Sequence, residues 1–181
     1  MPRIPPVPLA IAPEKVRPSF EGLKKTLGTV PNLFATIGQS PEALQALLAA
    51  MDALSRGALP AREAEQVNLL TSELNGCAYC VSAHGALGKL AGLAPDDIQA
   101  ARGGRGSGVR EQAILDLVRR VVRTGGSGAG TELVRAKEAG LTDGEIVEVL
   151  AHVALKAFTN AVAILAQTDI DFPKQPLLPA T

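Results

Sequence analysis

The 181-residue chain has no tryptophan, one tyrosine and four phenylalanines. So few rings cannot build the aromatic platforms on which single-stranded nucleic acid stacks. Net charge is also absent, because eighteen Lys and Arg residues offset eighteen Asp and Glu; affinity for phosphate backbones needs clustered positive charge. Cysteine occurs twice, at Cys77 and Cys80, too few for the disulfide framework of a small secreted scaffold. No alternating apolar–polar pattern marks a strand. The N-terminus carries four prolines in its first eight residues and no signal-like apolar stretch, so a cytoplasmic location is expected, with neither nucleic acid nor membrane as partner. Hydrophobic residues still make up 46% of the chain, mostly Ala, Leu, Val and Ile. That composition supports one sizeable core of packed helices.

The helix punctuation is dense. Ser40-Pro41-Glu42 reads as a cap, a first-turn proline and an acid at the positive end of the dipole. Leu44, Leu47, Leu48, Met51 and Leu54 follow at three- and four-residue steps up to Gly57. A second helix opens near Pro60 and closes at Asn75-Gly76, and a third runs from Cys77 to Ala91. A short helix is expected over 95–102. The Gly-rich segment 103–108 reads as a flexible linker with neither Rossmann nor P-loop context. Further helices follow over 109–124, from a Thr131 cap to Gly140, and from the Thr142-x-x-Glu145 capping box onward. This last helix is apolar from Val149 to Ala166 except for His152, Lys156 and Asn160. Their four-residue spacing makes a polar stripe, which favours a buried helix and a seam between helices over a membrane span. Its remaining faces are so apolar that a subunit interface is expected. Lys89-Leu-Ala-Gly-Leu93 and Lys137-Glu-Ala-Gly-Leu141 echo each other, either as shared punctuation or as an old duplication. The predicted organisation is all-α: a Pro-rich arm over 1–18, one helical domain over 19–172 and a tail over 173–181.

Chemistry concentrates around Cys77, Cys80 and His84. On a helix these positions share one face, so two thiols and an imidazole come within reach without any long-range folding. The Asn75-Gly76 stop places Cys77 at a helix N-terminus, where unpaired N–H groups and the dipole favour a thiolate. His84 adds a base one turn beyond Cys80. Two other readings stay open. The cysteines can be inert packing, or the three residues can hold zinc with His152 or Glu65 as a fourth ligand, although structural zinc ordinarily draws on two separated ligand pairs. Glu73 reads as a solvated or capping carboxylate.

The segment from Glu65 to His84 resembles the signature of the alkylhydroperoxidase D-like (AhpD-like) branch of the carboxymuconolactone decarboxylase superfamily. The resemblance rests on Glu65 twelve residues before Cys77, on Asn75-Gly76-Cys77-x-x-Cys80 and on His84. The stretch from Gly28 to Phe34 with Ser40-Pro41, and Phe158-Thr-Asn160 with Thr168-Asp-Ile-Asp-Phe-Pro173, are similar to the flanks of peroxidase-related members. The resemblance implies an all-helical bundle that assembles as a homo-oligomer, a trimer or hexamer. It also implies a thiol peroxidase that uses no haem, flavin or metal and is reduced by an external lipoyl or thioredoxin-type dithiol. By position it makes Cys80 the peroxidatic cysteine and Cys77 the resolving one. His84 then takes the Cys80 proton, and Glu65 holds His84 or relays that proton. A disulfide reductase with little peroxidase activity, or a non-enzymatic redox or zinc-binding protein, are the alternatives. Where such peroxidases carry His before the second cysteine, this chain carries Tyr79.

Overall fold

A computed structural model describes residues 1–179, and among them every regular element is helical. Ala180 and Thr181, the end of the tail expected over 173–181, lie outside the described residues. A 3-10 turn at Leu9–Ile11 precedes helices α1 (Arg17–Leu27), α2 (Asn32–Ile37), α3 (Pro41–Leu54), α4 (Ala61–Leu74), α5 (Ala78–Leu90), α6 (Pro95–Arg102), α7 (Val109–Thr124), α8 (Gly130–Glu138) and α9 (Asp143–Ala166). The sequence signals act where expected. Ser40 Oγ accepts from the Ala43 N–H at 3.3 Å. Thr142 and Glu145 form a reciprocal capping box at 3.2 and 2.8 Å, worth about 1 kcal/mol. Helix α8 departs from expectation, with Ala129 at its cap and Thr131 already helical.

The two echoing segments have one physical explanation. Leu93 N–H bonds to Gly88 O and Gly92 N–H to Lys89 O; Leu141 N–H bonds to Ala136 O and Gly140 N–H to Lys137 O. Both are Schellman endings, in which a left-handed glycine lets two amides return to the last turn. The likeness therefore needs no more than common helix punctuation. The Gly-rich segment 103–108 is pinned rather than flexible. Arg119 donates to the carbonyls of Gly103 and Gly104, and Gln112 Oε1 accepts from the Gly106 N–H. A Cβ on Gly106 would lie 2.3 Å from the Gln112 backbone nitrogen, so the close approach itself requires glycine.

Helix α4 is the axis of the fold, packed against α5, α6, α7 and α9. Val67 and Leu70 on α4 meet Ile114, Leu115 and Val118 on α7 and Val149 and Val153 on α9 in one core cluster. A second cluster joins Val16, Phe20, Leu33, Leu44 and Leu47 to Cys77, Tyr79 and Cys80. The cysteines thus sit in a hydrophobic wall between the N-terminal helices and the α4–α5 hairpin. The N-terminal arm contributes Ala12 and Val16 to this cluster and ties Arg3 N–H to Ala166 O at 2.7 Å.

Helix α9 is long and apolar enough to cross a membrane by length and composition alone. Its packing shows a different use. Ile146, Val149, Val153, Lys156, Asn160 and Ala163 point inward, while Val147, Leu150, Phe158 and Leu165 stay exposed. The polar stripe expected from the sequence thus faces partly into the protein, and an apolar stripe faces out. Leu70 is 1% exposed at the junction of α4, α7 and α9. Leu70→Ala is expected to destabilise the fold by about 2–5 kcal/mol in chemical denaturation, whereas Leu90→Ala, on an exposed side chain, changes it little.

Candidate functional site

The turn between α4 and α5 builds the thiol site. Gly76, with φ of 70°, closes α4 in another Schellman ending: Gly76 N–H bonds to Glu73 O and Cys77 N–H to Ser72 O. The residue after that glycine is at once the N-cap of α5. Cys77 therefore occupies the cap position, and its Sγ accepts the Cys80 N–H at 3.3 Å. Backbone geometry alone brings Cys77 Sγ and Cys80 Sγ to 2.6 Å, where they share a hydrogen bond. Both residues are buried.

The pair holds one charge readily and two with difficulty. A hydrogen bond from Cys80 pulls the Cys77 thiol below its ordinary value against the opposing effect of burial, helped by the Cys80 N–H, the Asn160 amide and Lys156. The same bond, together with burial, pushes Cys80 far up. Access favours the other sulfur. Cys80, and not Cys77, lines a cavity of about 750 Å³ whose walls include Leu33, Phe34, Leu48, Met51 and Leu87. The first charge therefore settles on Cys77, next to the sulfur that lines the cavity, and a proton passed between the two sulfurs would carry it to Cys80.

His84 lies on the same α5 face, as the spacing predicts, but both of its ring nitrogens are occupied. Nδ1 lies 2.8 Å from Glu65 Oε2 and Nε2 lies 2.9 Å from Lys156 Nζ. The antiparallel packing of α4 and α5 brings Glu65 there, and Asn68 donates to its other oxygen at 3.2 Å. Burial pushes His84 below its ordinary value, as does the Lys156 charge, while Glu65 pulls the other way. The consistent assignment is a neutral imidazole that donates from Nδ1 to an ionised Glu65 and accepts at Nε2 from the Lys156 ammonium. Burial alone would raise the Glu65 carboxyl; the facing His84 and Lys156 hold it low. Lys156 is lowered by burial and supported by Cys80, Glu65 and Cys77. The order of groups is therefore carboxylate, imidazole, ammonium, thiol pair.

Among the described residues no three His, Cys, Asp or Glu side chains converge as a metal site. The zinc alternative also lacks a free imidazole, because Glu65 and Lys156 already hold both His84 nitrogens.

The sequence reads Lys156 and Asn160 as part of a polar seam, with pocket lining left open, more so for Asn160, and gives neither a catalytic role. Asn160 accepts from Asn75 Nδ2 at 2.9 Å and donates to Ser72 Oγ at 3.3 Å, which ties α9 to the elbow. The available signal was a lone polar stripe on an otherwise apolar helix. Tyr79 gave no such signal. Its hydroxyl donates to Asp171 Oδ1 at 2.8 Å and accepts the Leu33 N–H at 3.2 Å, and its ring meets Phe172 edge-on at 5.8 Å. Burial, reinforced by Asp171, pushes its phenol far up, so it stays neutral and anchors the C-terminal strap over the cavity. Glu73 is not solvated. It accepts from Arg102 Nε at 2.7 Å and from the Leu178 N–H at 2.6 Å.

The chain contains two histidines, His84 and His152, and burial holds both below their ordinary 6.5. Between the folded values and 6.5 the unfolded chain binds more protons, so stability is full above that value and lost as pH falls below it. The thermal midpoint is expected to drop between about pH 7 and about pH 5. The double variant His84→Gln, His152→Gln should flatten that slope in calorimetric scans.

The carboxymuconolactone decarboxylase family model matches residues 40–119, which span α3 to α7. No curated protein matches the sequence. Among solved structures the chain is similar to an alkylhydroperoxidase AhpD core, an uncharacterized peroxidase-related protein from Ralstonia eutropha JMP134. The identity is 27% and the TM-score 0.85, over 94% of this chain and 92% of that one. An uncharacterized peroxidase-related protein from Silicibacter sp. TM1040 shares the fold at 23% identity and a TM-score of 0.80, over 93% and 91%. The debrominase Bmp8, solved with 2,3,4-tribromopyrrole, shares it at 19% and 0.79, also over 93% and 91%. The family match spans the thiol elbow, and these likenesses show that the chain has the AhpD-like all-helical fold over nearly its whole length.

Proposed function

We propose that the protein is a thiol-dependent peroxidase that cycles between the Cys77–Cys80 dithiol and disulfide. The observation that carries this reading is the hydrogen-bonded sulfur pair, one member of which opens onto an apolar cavity. The Cys80 thiolate attacks the terminal oxygen of a hydroperoxide; an S–O bond forms, the O–O bond breaks, and sulfur is oxidised to a sulfenic acid. Cys77 displaces hydroxide from it, its thiol proton completes a water molecule, and the disulfide closes. Glu65 and His84 form the proton-holding end of the site, which reaches the sulfurs across Lys156. An external dithiol of lipoyl or thioredoxin type returns the pair to its reduced state.

The exposed apolar stripe of α9 supports a homo-oligomer, because an isolated chain leaves Val147, Phe158 and Leu165 in water. Mass photometry is expected to read a multiple of 18.7 kDa; a clean monomer rejects the assembly.

The debrominase Bmp8 shares this fold, so the test must separate the two chemistries. Reduced protein mixed with one equivalent of an organic hydroperoxide should consume it and lose two mass units, with no metal bound. Cys80→Ser should consume none, and Cys77→Ser should stop at a sulfenic acid that dimedone traps. Full consumption by Cys80→Ser would falsify the assignment. Reduced protein that ignores peroxides but releases bromide from a bromopyrrole would point to dehalogenation.

A further inference from the structure

Attack on a hydroperoxide leaves a problem that the two cysteines do not solve. As the O–O bond breaks, the departing oxygen carries off an electron pair as an alkoxide. Inside an apolar cavity an alkoxide is costly unless a proton meets it. The groups that could supply one are few. The Tyr79 O–H is spent on Asp171. The His84 Nδ1–H is spent on Glu65. The Thr159 hydroxyl is directed at the carbonyls of Leu155 and Lys156, and the Ser55 hydroxyl at that of Asp52. Ser19, Thr26 and Thr29 come from α1 and the loop after it, far along the chain from the α5 residues that carry sulfur.

Lys156 is different in kind. It is the one Lys or Arg on the cavity lining, which it shares with Cys80 and His84. It is 8% exposed. An ammonium has three N–H donors, yet its Nζ has a single hydrogen-bond partner among the described residues, His84 Nε2 at 2.9 Å. Its remaining N–H donors lie on the side of the sulfurs and the cavity. A strongly hydrated cation held this deep is placed to donate to a polar group that enters the cavity.

We propose that Lys156 is the acid that protonates the leaving oxygen when Cys80 opens the O–O bond, and that His84 and Glu65 are positioning residues that hold its Nζ there. The inference rests on the peroxidase reading and deepens it. The proton account closes within the site. In the reduced state the dithiol gives one proton to the Lys156 amine, which leaves a thiolate and an ammonium. The thiolate takes the terminal oxygen as OH, sulfur is oxidised by two electrons, and the O–O bond is reduced. The ammonium hands its proton to the departing alkoxide, which leaves as the alcohol. Cys77 then expels hydroxide from the sulfenic acid, the Cys77 proton completes water, and Lys156 is left as a neutral amine. The external dithiol re-reduces the disulfide, and one of the regenerated thiols protonates the amine again. No proton has to cross the apolar wall from bulk water during attack. Burial, which favours the neutral amine, eases the hand-over.

The test separates proton donation from packing by varying the leaving group. Single-turnover oxidation of the reduced protein is followed with tert-butyl hydroperoxide, whose alkoxide needs a proton, and with peracetic acid, whose acetate does not. In Lys156→Met the rate ratio of the alkyl hydroperoxide to the peracid is expected to fall on the order of 10²-fold relative to wild type. Equal losses for both oxidants overturn the proposal, because a structural or thiolate-stabilising role slows both alike. Lys156→Arg keeps the charge but does not release a proton, so it should show the same fall in the ratio; a wild-type ratio in the Arg variant also overturns it. If circular dichroism shows that neither variant folds, the wild type decides. Its oxidation by the alkyl hydroperoxide should slow in D₂O and that by peracetic acid should not, and equal sensitivity overturns the proposal. Wild-type thiols inert to both oxidants would mark a failure of the peroxidase reading itself, and the inference would fall with it.

Discussion

A buried ammonium sets the terms for the whole site. Lys156 is almost fully removed from water, and an isolated charge there would cost several kcal/mol. Two anions offset it from opposite sides. Glu65 acts through the imidazole of His84, and the thiol pair acts when it has lost one proton. Removing one member of such a set ordinarily costs about 3–5 kcal/mol, because an uncompensated charge stays behind. The dithiol is therefore drawn toward its singly ionised, reactive form by the electrostatics of the core, and the helix N-terminus adds to that pull.

Three helices have to agree for this balance to exist. The Schellman ending of α4 makes Cys77 the cap of α5 with no intervening residue, which fixes the sulfurs against each other. The antiparallel return of α5 on α4 then sets Glu65 opposite His84. Helix α9 delivers Lys156 and Asn160 to the same place only because it turns its polar stripe inward, leaving apolar side chains in solvent. An apolar stripe left outside runs against the usual amphipathic arrangement. It is tolerable where a second surface covers the outer stripe, so the chemistry of the core and the expected assembly are two consequences of one helix orientation.

The sequence disclosed what short range controls. Caps, glycine stops and the shared face of Cys77, Cys80 and His84 depend on residues within one or two turns, and the structure carries them as read except at α8, which Ala129 and not Thr131 caps. Glu65 was legible through its place in the family pattern, since nothing in its spacing alone aims it at His84. Lys156 lies 72 residues beyond His84, and no local rule couples them; the stripe was visible but not what it faced. The stiffness of the 103–108 segment escaped for a similar reason, because Arg119 and Gln112, which pin it, lie on the next helix. Tyr79 escaped because its partners, Leu33 and Asp171, come from opposite ends of the chain.

Tyr79 stands where the peroxidases that the sequence resembles carry a histidine before the second cysteine. In the proposed peroxidase cycle a histidine there would offer a second route for the Cys80 proton. The phenol closes that route, since its hydroxyl is committed to Asp171 and to the Leu33 N–H. In exchange it holds Asp171 and Phe172 against the cavity. On the proposed reading, the loss of one proton carrier and the greater weight on Lys156, which His84 and Glu65 hold in place, are thus the same structural change.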